Sequence, residues 1–415
     1  MVVVVALIAS ITVLPAILSK LGDKVEKGRV PFMRRRRDSN PSESRAWSWV
    51  LDRVLKRPVV SAVISGGVLV AMALPTLGLH TELPGIDTLP RSIPVMQTYD
   101  RMSASFPGEE VAAEVVIKGD DVTAPAYTKA IAQLRHDAAA TGKMHEPATV
   151  EVSPNKHVAM IGLPIDGDGT NAKSKASLET LRGDVMPKIE AQLPAGSEAG
   201  VTGTTAQNKD FNDSMKAHLP IVFAFVLGTA FLLLLFTFRS IVIPIKAILL
   251  NLLSVGAAYG LLVEVFQNGH GQGLLGFEST GAIASWLPLF MFVVLFGLSM
   301  DYHVFILTRV REAFDKGMTT EDAVAHGIKT TASTVTSAAI IMVGVFATFA
   351  TLSMIDMKQM GIGLAAAVLI DATLVRAVLL PATMKLLGDW NWYLPRKLGW
   401  LPQIAHEPEV VPAKA

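Results

Sequence analysis

Seven apolar stretches recur along the chain, at residues 2–18, 59–79, 219–238, 241–266, 286–307, 333–352 and 360–380. Each approaches or exceeds the ~20 residues a helix needs to cross the bilayer hydrocarbon, so the pattern predicts a polytopic α-helical membrane protein. The first stretch sits where a secretory signal would, but no basic residues precede it, Pro15 lies near its end and the charges follow it. That order is wrong for a cleaved signal, so 1–19 reads as a transmembrane helix.

Between the second and third spans the periodicity changes. Residues 111–118 and 157–164 have the β-branched, apolar content of strands, and 149–152 and 199–204 are shorter candidates. Residues 127–140 and 175–193 read as amphipathic helices, giving the order βαββαβ of a ferredoxin-like α+β domain over 80–216. A segment of that length can carry a core of its own.

Charge orients these segments. The linker 20–57 with Arg34 to Arg37, the connection bearing Arg309, Arg311, Lys316 and Lys329, and Arg396 and Lys397 fall on one side if every stretch spans. The positive-inside rule makes that side the cytoplasm. The opposite side receives the domain at 80–216 and a Gly-rich loop at 267–273 without Lys or Arg. The expected layout is a helix at 1–19, a cytoplasmic basic linker at 20–57, a helix at 58–79, the extracytoplasmic domain at 80–216, a five-helix bundle at 217–385 and a cytoplasmic tail at 386–415. Location in the cell's inner (plasma) membrane follows. The net charge of +1 conceals this segregation, which is topological information and not a nucleic-acid signal; membrane lipids are the neighbours it implies. A 415-residue chain that is 51% hydrophobic and 18% charged, with mean hydropathy +0.42, is too apolar for an ordinary soluble domain. The absence of cysteine rules out disulfides and thiolate metal sites.

One span carries an ionisable pair, Asp301 and Tyr302. A carboxyl at membrane depth costs roughly 3 kcal/mol on insertion scales, so a proton or ion site is the default reading. The structural alternative is a neutral, hydrogen-bonded Asp joining two helices. A proton relay needs a carboxyl whose pKa desolvation can raise and a partner that stabilises one protonation state. Asp301 supplies the first and the Tyr302 phenol the second, although a packing role also suits Tyr302. The two lie ~100° apart on a helix and can border one interhelical seam, where Gly297 and Ser299 would let a neighbour approach. In the next span Thr330, Thr334 and Ser337 share a face. Ser299, Thr334 and Ser337 are candidate supports for the relay; with Thr331, Ser333 and Thr336, hydroxyls of this row can equally satisfy helix carbonyls.

Asp371 and Arg376 lie five residues apart, ~140° around an α-helix, which predicts no direct intrahelical pair and a structural polar role toward other helices. Lys246 and Glu264 sit at snorkelling positions near the two ends of one span. His270 has no second ligand at metal spacing, so no metal is expected. No Walker-type Gly-x-x-x-x-Gly-Lys-Ser/Thr motif occurs, so neither ATP nor any other cofactor is implied.

The sequence also echoes itself. Leu14-Pro-Ala-Ile-Leu-Ser-Lys-Leu-Gly-Asp23 and Leu380-Pro-Ala-Thr-Met-Lys-Leu-Leu-Gly-Asp389 match at six of ten positions, 366 residues apart. Each ends an apolar span, which reads as one complete repeat preceded by the last helix of another.

Three segments carry a family resemblance: Gly297-Leu-Ser-Met-Asp-Tyr-His-Val-Phe-Ile-Leu-Thr-Arg-Val-Arg-Glu312, Asp371-Ala-Thr-Leu-Val-Arg-Ala-Val-Leu-Leu-Pro-Ala-Thr-Met-Lys-Leu-Leu-Gly388 and Asp389-Trp-Asn-Trp-Tyr-Leu-Pro395. They resemble the MMPL branch of the resistance-nodulation-division (RND) transporters. The resemblance implies a twelve-helix exporter with two extracytoplasmic domains, driven by protons and often moving lipids or other hydrophobic molecules. It would be a vectorial machine and not an enzyme. Asp301 and Tyr302 match one of the family's two Asp-Tyr pairs; the other belongs to a first repeat that this sequence lacks. The chain is therefore expected to be the second repeat plus the last helix of the first, needing a first-half polypeptide or self-association. A truncated, non-transporting membrane scaffold is the alternative.

Overall fold

The computed structural model describes residues 2–22, 45–83, 85, 89, 93–105, 112–167 and 169–401. The basic run Arg34 to Arg37 lies outside them. In chain order, α1 (Val2–Leu21) is an apolar helix whose described side chains are largely exposed, and α2 (Arg45–Lys56) is a short amphipathic helix. α3 (Pro58–Ala73) starts with Pro in its first turn, where the missing N–H costs no helix bond, and ends in a 3-10 turn, Leu74–Gly78. The linker predicted over 20–57 thus contains a helix. Leu51, Val54 and Leu55 of α2 are buried against the bundle, while Trp49 on the other side is exposed.

After β1 (Thr81–Glu82) and α4 (Pro94–Ser105) comes a domain built from β2 (Ala112–Lys118), α5 (Pro125–Ala140), β3 (Thr149–Val152), β4 (Val158–Pro164), α6 (Ala172–Thr180), a π turn (Leu181–Val185), α7 (Met186–Glu190) and β5 (Glu198–Thr202). Its four strands lie in the order β3-β4-β2-β5, every neighbouring pair antiparallel. Ala113, Val115 and Ile117 alternate inward along β2 and, with Ile161 and Leu163 of β4, pack on Ile131 and Leu134 of α5, Leu181 of the π turn and Ile189 of α7. Period-2 alternation in a strand facing helices on one side is what buries such a face.

The bundle follows: α8 (Thr204–Phe238), α9 (Val242–Leu262) with a π turn (Val263–Gln267), α10 (Gln272–Leu275), β6 (Ile283–Ala284), α11 (Leu287–Asp315), α12 (Thr320–Phe349), α13 (Ile355–Ile370), a nine-residue π stretch (Asp371–Leu379) and α14 (Leu380–Leu387). Among the described residues six helical segments, the last of them running from Ile355 to Trp392, are long and apolar enough to cross a membrane. At 35 residues α8 is ~50 Å long, well beyond the ~30 Å hydrocarbon, so its polar first turns project toward the α+β domain. The parallel pair of β1 with β6, Thr81 against Ile283 and Glu82 against Ala284, ties the loop after α3 to the loop before α11.

Close helix crossings rest on glycine. A Cβ on Gly260 of α9 would stand 1.8 Å from the Met72 carbonyl oxygen of α3, and one on Gly327 of α12 would stand 2.8 Å from the Val310 backbone nitrogen of α11. One hydrophobic core runs through the bundle, with Phe238, Phe266, Phe292 and Phe296 fully enclosed. The two echoing segments end alike: α1 stops at Leu21 before Gly22 at φ 45°, and α14 stops at Leu387 before Gly388 at φ 51°. Both glycines occupy the positive-φ region that side chains disfavour at a helix exit.

Candidate intramembrane site

α11 presents two different faces at the level of the predicted relay. Phe290, Val293, Gly297, Asp301 and Phe305 form an exposed stripe, and a Cβ on Gly297 would meet nothing within 4 Å. Asp301 makes no hydrogen bond or ion pair with the described residues. The close approach expected at Gly297 is therefore absent within this chain; the seam that Asp301 borders is open. Ser299 and His303 lie on the opposite, buried side, and Tyr302 stands between the two faces, half-buried.

The buried side holds an ion pair that α-helical geometry had argued against. Arg376 Nη2 donates to Asp371 Oδ2, and both side chains are almost fully enclosed. The physical reason is the π stretch, whose i→i+5 hydrogen bonding places residues five apart one above the other instead of ~140° apart. Pro381 follows directly at the start of α14. It lacks an N–H for the carbonyl a turn below, where a regular helix would need one.

The pair is anchored to α11. Arg376 Nη2 lies 3.4 Å from both the carbonyl oxygen and Oγ of Ser299, and its guanidinium stacks over the Tyr302 ring at 4.4 Å from the centroid. His303 Nδ1 is 3.0 Å from the Ser299 carbonyl oxygen. With the proton on Nδ1 that ring nitrogen donates, which makes Nε2 the acceptor. Four buried polar atoms here have no partner among the described residues: His303 Nε2, Asp371 Oδ1, Arg376 Nε and Asn251 Nδ2. Asn251, Ser254, Ser299, Tyr302, Asp371 and Arg376 line a small cavity of about 10 Å³, the size of a single water site. A water there would meet partners on three helices.

The hydroxyl row on α12 divides. Thr330, Thr331 and Thr336 donate to carbonyls one turn back, at His326, Gly327 and Ala332 respectively. Thr334 and Ser337 are exposed and form no hydrogen bond with described residues. Ser333, also exposed, faces outward with them. α11 and α12 are antiparallel and cross where Gly327 meets Val310, so counting nine residues along each puts Asp301 level with Thr336. Thr334 and Ser337 thus stand at Asp301's depth without hydrogen-bonding to it.

Lys246 is not a snorkelling residue. It is 7% exposed, and its Nζ donates to Asn391 Oδ1 at 2.8 Å, while Asn391 Nδ2 donates to the carbonyls of Met384 and Gly388. This latch fastens the start of α9 to the end of the last span. Glu264 pairs with His270 at 3.0 Å; the Gly-rich loop brings this carboxylate to His270 although the two are not at ligand spacing in a regular helix. Among the described residues no group of three His, Asp or Glu is placed to hold a metal ion.

His303, Asn251 and Ser254 were not singled out from sequence. Their signal was polarity inside otherwise apolar spans, but each is small or neutral enough to pass as packing.

The family model for the MMPL family matches residues 87–413, most of the chain. The chain belongs to the MMPL family. It is 34% identical over 98% of its length to the mycolic acid-containing lipids exporter MmpL11 of Mycolicibacterium smegmatis, covering 42% of that protein. It is 35% identical over 97% of its length to the heme uptake protein MmpL11 of Mycobacterium tuberculosis, covering 41% of it. The trehalose monomycolate exporter MmpL3 of Mycolicibacterium smegmatis is 31% identical over 97% of this chain, which covers 42% of it. The chain thus spans about two-fifths of the length of these relatives. Family and helices together make it a multi-pass protein of the cell's inner membrane.

Proposed function

We propose that this chain forms the second repeat of a proton-driven transporter of the MMPL/RND type, preceded by the last helix of a first repeat. Asp301 carries the coupling proton, with Tyr302 beside it. The observation that carries this reading is the two-faced α11. Asp301 lies on an open stripe of α11, a helix of membrane length, and the buried Asp371–Arg376 pair lies behind it, joined through the Tyr302 ring. An ionisable group at that depth needs a partner or a water path, and a first-repeat helix laid on the stripe supplies the partner. The relatives' greater length is consistent with such a repeat. Tyr302 is placed to link protonation of Asp301 to the pair, since a guanidinium over its face responds to the charge of its neighbours.

The α+β domain is ferredoxin-like and extracytoplasmic. Its βαββαβ order, with the strands arranged second-third-first-fourth, supports the first claim. The concentration of Lys and Arg on the other side supports the second. The cargo is a lipid or another hydrophobic molecule, in keeping with relatives named for mycolic acid lipids, trehalose monomycolate and heme.

The test uses the chain assembled with a first-repeat polypeptide in membranes. Asp301→Asn is expected to abolish proton-coupled lipid export while leaving assembly intact, and Asp301→Glu to retain part of it. Unchanged export by Asp301→Asn removes the relay assignment.

A further inference from the structure

A second cavity, about 480 Å³ in volume, lies between α2, the middle of α12 and the π stretch. It is roughly three times the size of the ~150 Å³ apolar cavity that stays dry in an engineered protein, so an apolar occupant has ample room. Trp47 and Val50 close it from α2, Ile340 and Val343 from α12, and Leu374 and Val378 from the last span.

Its polar wall atoms are already satisfied. Thr336 Oγ1 donates to the Ala332 carbonyl and accepts from Trp47 Nε1 at 2.9 Å, and Thr373 Oγ1 donates to the Leu369 carbonyl at 2.6 Å. No wall group asks for a polar ligand, and the two walls outside α2 come from membrane-length helices. The occupant that fits is hydrocarbon. From Thr336 to Val343 the cavity runs ~10 Å along α12, the reach of a length of alkyl chain.

Beyond the α2 wall the chemistry changes. Arg53 lies one turn beyond Val50 on α2, and Arg57 stands at the junction with α3. Both are exposed, and neither enters an ion pair among the described residues. The Arg53 guanidinium sits 5.9 Å from the centre of the exposed Trp49 ring. An amphipathic helix with cations and Trp on its outer side is suited to the headgroup layer.

We propose that this cavity is a phospholipid site, holding one acyl chain between α2, α12 and the π stretch with the lipid phosphate against Arg53 and Arg57. Trp47, fixed by its bond to Thr336, is the positioning residue at the entrance. Ala339 and Ala372 line both this cavity and the small polar one beside Asp371, so the chain lies one alanine away from the ion pair. The site does not depend on the proton-relay reading.

The test places the full chain in bilayers containing a phosphatidylglycerol with a diazirine in its acyl chain, and maps cross-linked peptides by mass spectrometry. Residues 336–343 and 369–378 are expected to be labelled several-fold more than 221–225 of α8, where Ile221 and Phe225 are exposed and line neither of the two cavities. Ala377→Phe, which fills the cavity, lowers that labelling several-fold with 221–225 unchanged. Ile340→Trp at the rim repeats the result should the first variant fail to fold. Unlabelled phosphatidylglycerol competes several-fold better than diacylglycerol of the same chains, and Arg53→Gln with Arg57→Gln removes the difference. Even labelling, as from ordinary boundary lipid, overturns the site. So does labelling that both filling variants leave unchanged, or no labelling of the cavity, which would mean that protein covers it. Equal competition by diacylglycerol overturns the phosphate contact.

Discussion

Asp371 and Arg376 are the residues whose arrangement most changes the sequence reading. Two opposite charges so deeply enclosed are stable as a pair and costly apart, since removing one partner leaves the other buried without compensation. Arg376→Met alone is expected to lower stability by about 3–5 kcal/mol, whereas Arg376→Met combined with Asp371→Leu recovers most of the loss. Thermal unfolding in detergent measures both. If the double variant is stable and export by the assembled transporter is still lost, the pair acts in coupling and not only in folding. A second residue-scale consequence lies in the α+β domain. Hydrogen bonds from Arg135, at 2.9 Å, and from the Ala148 N–H, at 2.7 Å, hold the Glu146 carboxyl below its ordinary pKa. A depressed folded-state value contributes stability that is present above the unfolded pKa and is lost as pH falls through the folded one. Hydrogen exchange of α5 and β3 should therefore quicken as pH drops below the normal Glu range, after correction for the intrinsic pH dependence of exchange. Glu146→Gln should remove that step.

At the scale of elements, most of the architecture was readable because periodicity is imposed by the solvent on each side. Strands at 149–152 and in β4, and all six membrane-length helices of the described residues, follow from alternation or from unbroken apolar runs. The exceptions have separate causes, and the first is a departure from the α-helical period. The π stretch shifts every side chain after Asp371 relative to that period, and so made a direct pair look impossible. The basic linker's charge likewise drew attention from the three buried positions of α2, Leu51, Val54 and Leu55. Glycine contacts were unreadable because they depend on which helix lies opposite. Gly260→Ala must push α3 away from α9, since its Cβ would overlap the Met72 carbonyl, and overpacking of this kind costs about 1–3 kcal/mol. Gly228→Ala in α8, with open space around it, should be neutral or gain up to ~1 kcal/mol from helix propensity. The difference in thermal stability between these variants tests the α3–α9 crossing directly.

At the scale of the whole molecule, the features that do not close on themselves point in one direction. α1 has its apolar side chains exposed, from Val4 at 56% to Leu21 at 44%, and α11 shows the stripe from Phe290 to Phe305 with Asp301 in it. Inside a bilayer, lipid can cover apolar side chains, but it cannot satisfy a carboxylate. Gly297, one turn before Asp301, separates the two explanations. Its Cβ direction is empty in this chain, so Gly297→Leu should leave the thermal stability of the isolated chain unchanged. If a first-repeat helix lies against the stripe, the same substitution blocks its close approach, because small residues are what allow membrane helices to meet at short range. Co-purification of the two halves should then fall several-fold and proton-coupled export should fall with it. A Gly297→Leu chain that assembles and exports normally would show that the stripe faces lipid and that Asp301 obtains its proton path from elsewhere.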